Sequence, residues 1–178
     1  MQTQASVLIR RARPTDVTGL GRLGGALMRL HHSFDPQRFM TPPDDAERGY
    51  GWFLASLLDA DDALVLVAER QDTGGQSGDE SREAGIVGYC YGALEPQSWK
   101  ELRDAAGFIH DLVVDDSARG RGIGSNLMRE MMRWLREKGA PRVVLSTAEA
   151  NPAARHLFGH LGFRPTMVEM TRELDGQE

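Results

Sequence analysis

The stretch that most constrains this chain lies between residues 106 and 138. An apolar run, AGFIHDLVV, passes through the polar turn DDSA into RGRGIG. Ile123, Leu127, Met131, Trp134 and Leu135 then recur at helical spacing, over a helix expected from about Gly122 to Lys138. A strand that feeds a helix through a glycine turn leaves the first N–H groups of that helix without partners. With the positive end of the helix dipole they form an anion site. Glycine lets an anion approach the backbone, and Arg119 and Arg121 add positive charge. The G-K-[ST] end of a Walker motif is missing, which argues against an ATP γ-phosphate site. Taken alone, the junction reads either as a phosphate cradle or as a glycine turn with solvated arginines.

The rest of the chain supplies an order of elements. SVLIRRARP reads as a strand stopped by Pro14. Leu20, Leu23, Leu27 and Leu30 mark a helix from Thr15 to Leu30. Pro36, Pro42 and Pro43 break the chain into a loop. A second helix starts near Asp44 or Asp45 and carries Trp52, Phe53 and Leu57. ALVLVAE and GIVGYCYGAL are β-rich, and the polar, Gly/Ser-rich residues 72–84 between them read as a mobile hairpin loop. After the strand and helix described above, RVVLSTA is a strand. NPAARHLFGHLG is a helix with Asn151 as N-cap, Pro152 at its first position and Gly162 as its stop. FRPTMVEMTREL closes the chain as a strand. The expected order is β-α-α-β-β-β-α-β-α-β, an α/β fold in one domain spanning residues 1–178.

Bulk properties narrow the function. A chain of 178 residues with 40% hydrophobic residues can bury one sizeable core. A net charge of -5 and a pI near 5.6 argue against a general nucleic-acid binder. The single cysteine, Cys90, sits in an apolar run, and there is no metal-ligand spacing of Cys and His, so no metal site is expected. No apolar run is long enough to span a bilayer, and the N-terminus has no apolar signal core. A cytoplasmic protein without membrane association is the expectation.

GLGRLG, Gly19 to Gly24, also spells G-x-G-x-x-G. A dinucleotide site would need a strand immediately before it and another strand, ending in an acidic residue, after the helix. Here the motif sits inside a helical pattern, and a proline-rich loop follows. Close helix packing explains these glycines better than a nicotinamide or flavin.

VVDDSARGRGIGSNLM resembles the acetyl-CoA-binding motif of the GNAT-type N-acetyltransferases, [RQ]-x-x-G-x-[GA], with Arg119, Gly122 and Gly124 in its fixed positions. NPAARHLFGHLGFRP is similar to the second cofactor segment of that family through Asn151, Ala154, Leu157, Gly162 and Phe163, and IRRARPTDVTGL resembles its opening strand and helix. The resemblance covers nearly the whole chain. It implies a mixed, mostly antiparallel sheet flanked by helices, and it favours the phosphate cradle over the plain turn. By resemblance, Arg119, Gly120, Arg121, Gly122, Ile123, Gly124 and Ser125 hold the pyrophosphate of coenzyme A. Leu112, Val113 and Val114 pair their backbone with its pantetheine arm. Asn151 and Phe158 flank the cofactor, although Asn151 is equally explained as a cap.

The implied reaction moves an acetyl group from acetyl-CoA to a primary amine of a small molecule or peptide. It needs a base for the ammonium, a donor for the oxyanion and a proton for the leaving thiolate. The resemblance points to a backbone amide near Leu112 or Val113 as oxyanion donor. His110 and Asp111 are the candidates for base or substrate contact. Alternation sends them to opposite faces of a regular strand, unless a bulge intervenes. The sequence departs from the family at Phe158, where a tyrosine usually donates the proton. His156 and His160 lie about 200° around the helix from it and are no simple replacement. A non-catalytic acyl-CoA sensor is therefore the alternative. The loop LHHSFDPQRFMTPP borders the expected acceptor site, and a homodimer stays open.

Overall fold

A computed structural model of the chain describes residues 6–71 and 85–174. The expected hairpin loop at 72–84 lies outside the described residues. Five strands form one sheet in the order β1-β2-β3-β4-β5: β1 (Val7–Arg11), β2 (Ala63–Arg70), β3 (Ile86–Glu95), β4 (Ala106–Val114) and β5 (Val143–Leu145). The first four pair antiparallel, and β5 joins β4 in parallel.

Helices cover both faces of the sheet. On one face lie α1 (Val17–Phe34) and α2 (Ala46–Ala55), whose Leu20, Leu23 and Leu54 pack on Val65, Val67, Tyr89 and Val113. On the other lies α3 (Ile123–Glu137), which buries Ile123, Leu127, Met128, Met131, Trp134 and Leu135 against Leu64, Leu66, Cys90 and Ile109. The helix α4 (Pro152–His160) and its C-cap pack Phe158 and Leu161 against that same core. Each Leu, Ile or Met side chain so buried stabilises the fold by roughly 1.5–3 kcal/mol before entropy is counted.

The order of elements follows the expected one from β1 through α4. Residues 164–174, where the closing strand is expected, run outside every ladder. Met167, Val168, Met170 and Leu174 are each more than four-fifths exposed there, so no apolar burial favours pairing. The strand expected over RVVLSTA is also short, at three residues. No helix among the described residues is long and apolar enough to cross a membrane.

GLGRLG is helix interior, as its context suggested. A Cβ on Gly24 would lie 2.1 Å from Cδ1 of Tyr50, so this glycine is what seats the Tyr50 ring between α1 and α2. The decoy motif thus serves packing, and through Tyr50 it reaches the candidate site.

Candidate active site

The site is built around the far end of β4. The ladder to β5 ends at the pair Ile109↔Leu145, yet β4 continues to Val114. The two parallel strands therefore part just where His110 begins, and the β4 backbone beyond that point is in no ladder on its β5 side. The same residue is the extra one of a β-bulge. Tyr91 pairs with Asp111 and the next residue, Gly92, pairs with Ile109, which leaves His110 without a partner on β3.

The bulge corrects the expectation drawn from simple alternation. Ile109 and Leu112 both pack towards α3. The two residues between them, His110 and Asp111, both turn to the α1–α2 face. Asp111 is buried there and accepts hydrogen bonds from the hydroxyls of Tyr50, at 2.7 Å, and Tyr89, at 3.0 Å. The His110 ring stacks between Tyr91 and Phe108, with centroids 4.9 and 5.7 Å away, and its Nε2 lies 3.1 Å from Oε1 of Glu95.

Burial raises the Asp111 carboxyl above its usual range, and the two tyrosine hydrogen bonds only partly offset this. Burial and the adjoining carboxylate also push the Tyr50 and Tyr89 phenols far up, so both remain protonated donors at ordinary pH. All three tyrosines of the chain, Tyr50, Tyr89 and Tyr91, meet at this point. None was singled out from the sequence. The pair Tyr89 and Tyr91, two apart in a buried strand, was the available signal, because buried phenols need polar partners.

The glycine turn meets the requirements of an anion cradle. Asp115 caps a short 3₁₀ turn at Asp116–Ala118 and is tied to α1 by Arg22, at 2.9 Å. The chain then passes through Gly120 (φ 74°) and Gly122 (φ 77°), both in the left-handed region that favours glycine. Gly122 is the N-cap of α3 and makes no side-chain cap. The first amide to close a helical bond is that of Asn126, 3.0 Å from the Gly122 carbonyl. The N–H groups from Gly120 to Ser125 meet no protein acceptor among the described residues. A Cβ at Gly120 or Gly122 would meet no atom within 4 Å, so the turn has free space over it. This is the donor set that a pyrophosphate needs.

The remaining expected residues divide. Arg119 donates from Nε to the carbonyl of Val114, at 3.0 Å, and pairs with Asp116, so it braces the turn, while Arg121 is exposed. Gly124 faces Leu157, whose Cδ2 would lie 3.5 Å from an added Cβ. Leu112 and Val114 pack on the α3 side and Val113 on the other, so what this strand presents at its edge beyond Ile109 is backbone. Asn151 performs the cap, with Oδ1 accepting from the Ala154 N–H at 3.1 Å. Phe158 is half-buried, 6.0 Å from the ring of Phe163.

Comparison with known proteins bears on the family and the fold. A model of the acetyltransferase (GNAT) family matches residues 26–163. A mycothiol acetyltransferase from Beutenbergia cavernae is 42% identical over 78 residues, which is 43% of this chain and 26% of that protein. Glucosamine 6-phosphate N-acetyltransferase 1 from Oryza sativa subsp. japonica is 28% identical over 160 residues, covering 90% of this chain and 84% of that one. The chain spans about a quarter of the length of the first curated relatives it matches. Two solved structures share the fold. A tetramutant of the BH1408 protein from Bacillus halodurans has a TM-score of 0.70 at 23% identity, over 94% of this chain and 99% of that one. The aminoglycoside N-acetyltransferase AAC(6')-Iy, in complex with CoA, has a TM-score of 0.64 at 18% identity, over 99% of each. With the family model matched from the middle of α1 to just past α4, the chain belongs to the acetyltransferase (GNAT) family.

Proposed function

We propose that the chain is an N-acetyltransferase that moves an acetyl group from acetyl-CoA to a primary amine of a small molecule or peptide. The observation that carries this reading is a juxtaposition. Gly124, at the end of the glycine turn, lies against Val114 and Leu112 of β4, the strand that parts from β5 after Ile109, and the bulged His110 stands where the strands separate. Acetyl-CoA supplies an activated thioester. The N–H groups from Gly120 to Ser125 hold its pyrophosphate, and the open edge of β4 at Leu112–Val114 holds its arm. His110 takes the proton that the acceptor ammonium must lose before its nitrogen has a lone pair. Asp111, buried on the same face, anchors the bulge through the hydroxyls of Tyr50 and Tyr89.

Phe158 carries no proton to give, and this favours the second reading, an acyl-CoA sensor without turnover. Two measurements test both. Calorimetry should show acetyl-CoA binding that Gly122→Val weakens at least about tenfold, because a branched side chain at φ 77° strains the turn and enters the free space over it. Unchanged affinity in a folded variant would remove the cradle. Release of free thiol with a panel of amines should then occur, and binding without release would favour the sensor.

A further inference from the structure

The α1–α2 face beside His110 has a composition that selects among amines. Starting from the proposed acetyl transfer, we infer that the acceptor is an arylalkylamine, a primary amine on a short chain attached to a flat apolar body, and not a phosphorylated amino sugar. A row of rings leads away from the bulge. Tyr50 meets Phe53 edge-on at 5.7 Å, Phe53 meets Tyr91 edge-on at 5.7 Å, and Tyr91 stacks on His110 at 4.9 Å with Phe108 beyond it. Phe53 is 45% exposed and the His110 side chain 34%, so the row is open to a ligand at the point where the proton must be taken.

The charges at this row suit an ammonium and disfavour an anion. Glu95 lies against His110, and Asp111 lies behind it. Ring faces attract a cation and offer a flat apolar body an offset or edge-on partner. A phosphate on the acceptor would need a guanidinium or ammonium with hydrogen-bonding capacity left over. Among the described residues, the guanidinium that reaches this row, Arg103, lies 4.4 Å over the Phe108 ring and already pairs with Glu95 and Glu101, while its Nη1 donates to the Pro96 carbonyl at 3.0 Å. Binding a phosphate there would strip these partners and bring an anion next to Glu95.

The test uses the full chain with acetyl-CoA and reads thiol release with phenethylamine, ethylamine and glucosamine 6-phosphate. Phenethylamine should exceed glucosamine 6-phosphate in kcat/KM by at least about tenfold, the scale of one aromatic contact. Phe53→Ala should raise the KM for phenethylamine about tenfold, and Phe53→Tyr, which keeps the ring, should restore it. Equal or better turnover of glucosamine 6-phosphate, or an unmoved KM in folded Phe53→Ala, overturns this inference and leaves acetyl transfer standing. Thiol release with ethylamine alone also overturns it. No release with any of the three, in a protein that binds acetyl-CoA, overturns this inference, and no release across the wider panel of amines and peptides overturns acetyl transfer as well.

Discussion

Asp16 and Asp111 are the two buried acidic side chains among the described residues, and the fold satisfies them in opposite ways. Asp16 follows β1 and is gripped by a cation. Arg10 donates to both of its oxygens, at 2.7 and 2.9 Å, and the Arg13 N–H adds a third bond at 2.7 Å. Burial would raise its carboxyl, but the Arg10 hydrogen bonds with the Arg13 amide outweigh that and hold it below the usual range. Arg10 reaches on to Glu69 of β2, so the knot ties the first two strands to the start of α1. Asp111 has only two neutral phenols, and its carboxyl is raised. A carboxylate neutralised by a cation builds structure. One left to phenols, next to a half-exposed histidine, keeps a raised proton affinity that a reaction can use.

The largest effect that would sharpen this contrast is on the first side. Arg10→Ala leaves Asp16 buried and without its cation, and should cost about 3–5 kcal/mol in denaturant unfolding. A loss under about 1 kcal/mol would mean that the knot is not structural. On the second side, His110→Ala removes the stacking on Tyr91 and Phe108 and should cost only about 1 kcal/mol of stability, but lower turnover at neutral pH about 100-fold, the scale of one general base. Equal turnover in both proteins would take the base role from His110.

A smaller effect tests how Asp111 is held. Tyr50→Phe removes one hydrogen bond to the carboxylate and should cost about 1.5–3 kcal/mol. Gly24→Ala, which pushes the Tyr50 ring from its seat, should act in the same direction and add little on top of Tyr50→Phe. Full additivity of the two would show that Gly24 does not act through Tyr50.

The pH dependence of the two carboxylates has opposite sign. Asp16 has a lowered folded value, so its stabilisation is complete above the unfolded value of about pH 3.9 and is lost as pH falls through the folded value. Asp111 has a raised folded value, so stability falls as pH rises from about 3.9 through that value. Melting temperatures recorded against pH should show the deficit of Asp16→Asn shrinking in acid. Relative to the parent, Asp111→Asn should gain as pH rises across its window. Parallel curves for the two variants would erase the distinction.

The smallest expected change is at Phe158, which belongs to neither cluster and packs on the α3 side of the sheet. Phe158→Tyr should stay folded, because the residue is only half-buried and a new hydroxyl can reach water, and its turnover should not fall. A strongly lowered melting temperature would show that the ring is plain core.

Much of the fold and half of the site could be read along the chain. The glycine turn, the stripe of Ile123, Leu127, Met131, Trp134 and Leu135, and the Asn151 cap are local features. Their geometry is set within one or two turns of backbone, so residue type and spacing suffice to place them. The proposed coenzyme end of the site belongs to this class.

The acceptor end does not. Whether His110 and Asp111 share a face depends on a one-residue slip between β3 and β4, which only cross-strand pairing decides. The meeting of Tyr50 with Asp111 spans 61 residues of sequence and requires α2 to lie on the sheet at the depth that Gly24 allows. The closing strand was expected from a β-rich pattern, yet residues 164–174 lie outside every ladder, since alternation states a capacity to pair and not the presence of a partner. Sequence alone therefore determined where a phosphate can be held, because that depends on neighbouring amides. Tertiary structure decided which side chains gather around the β4 bulge, because that depends on register between strands and helices far apart in the chain.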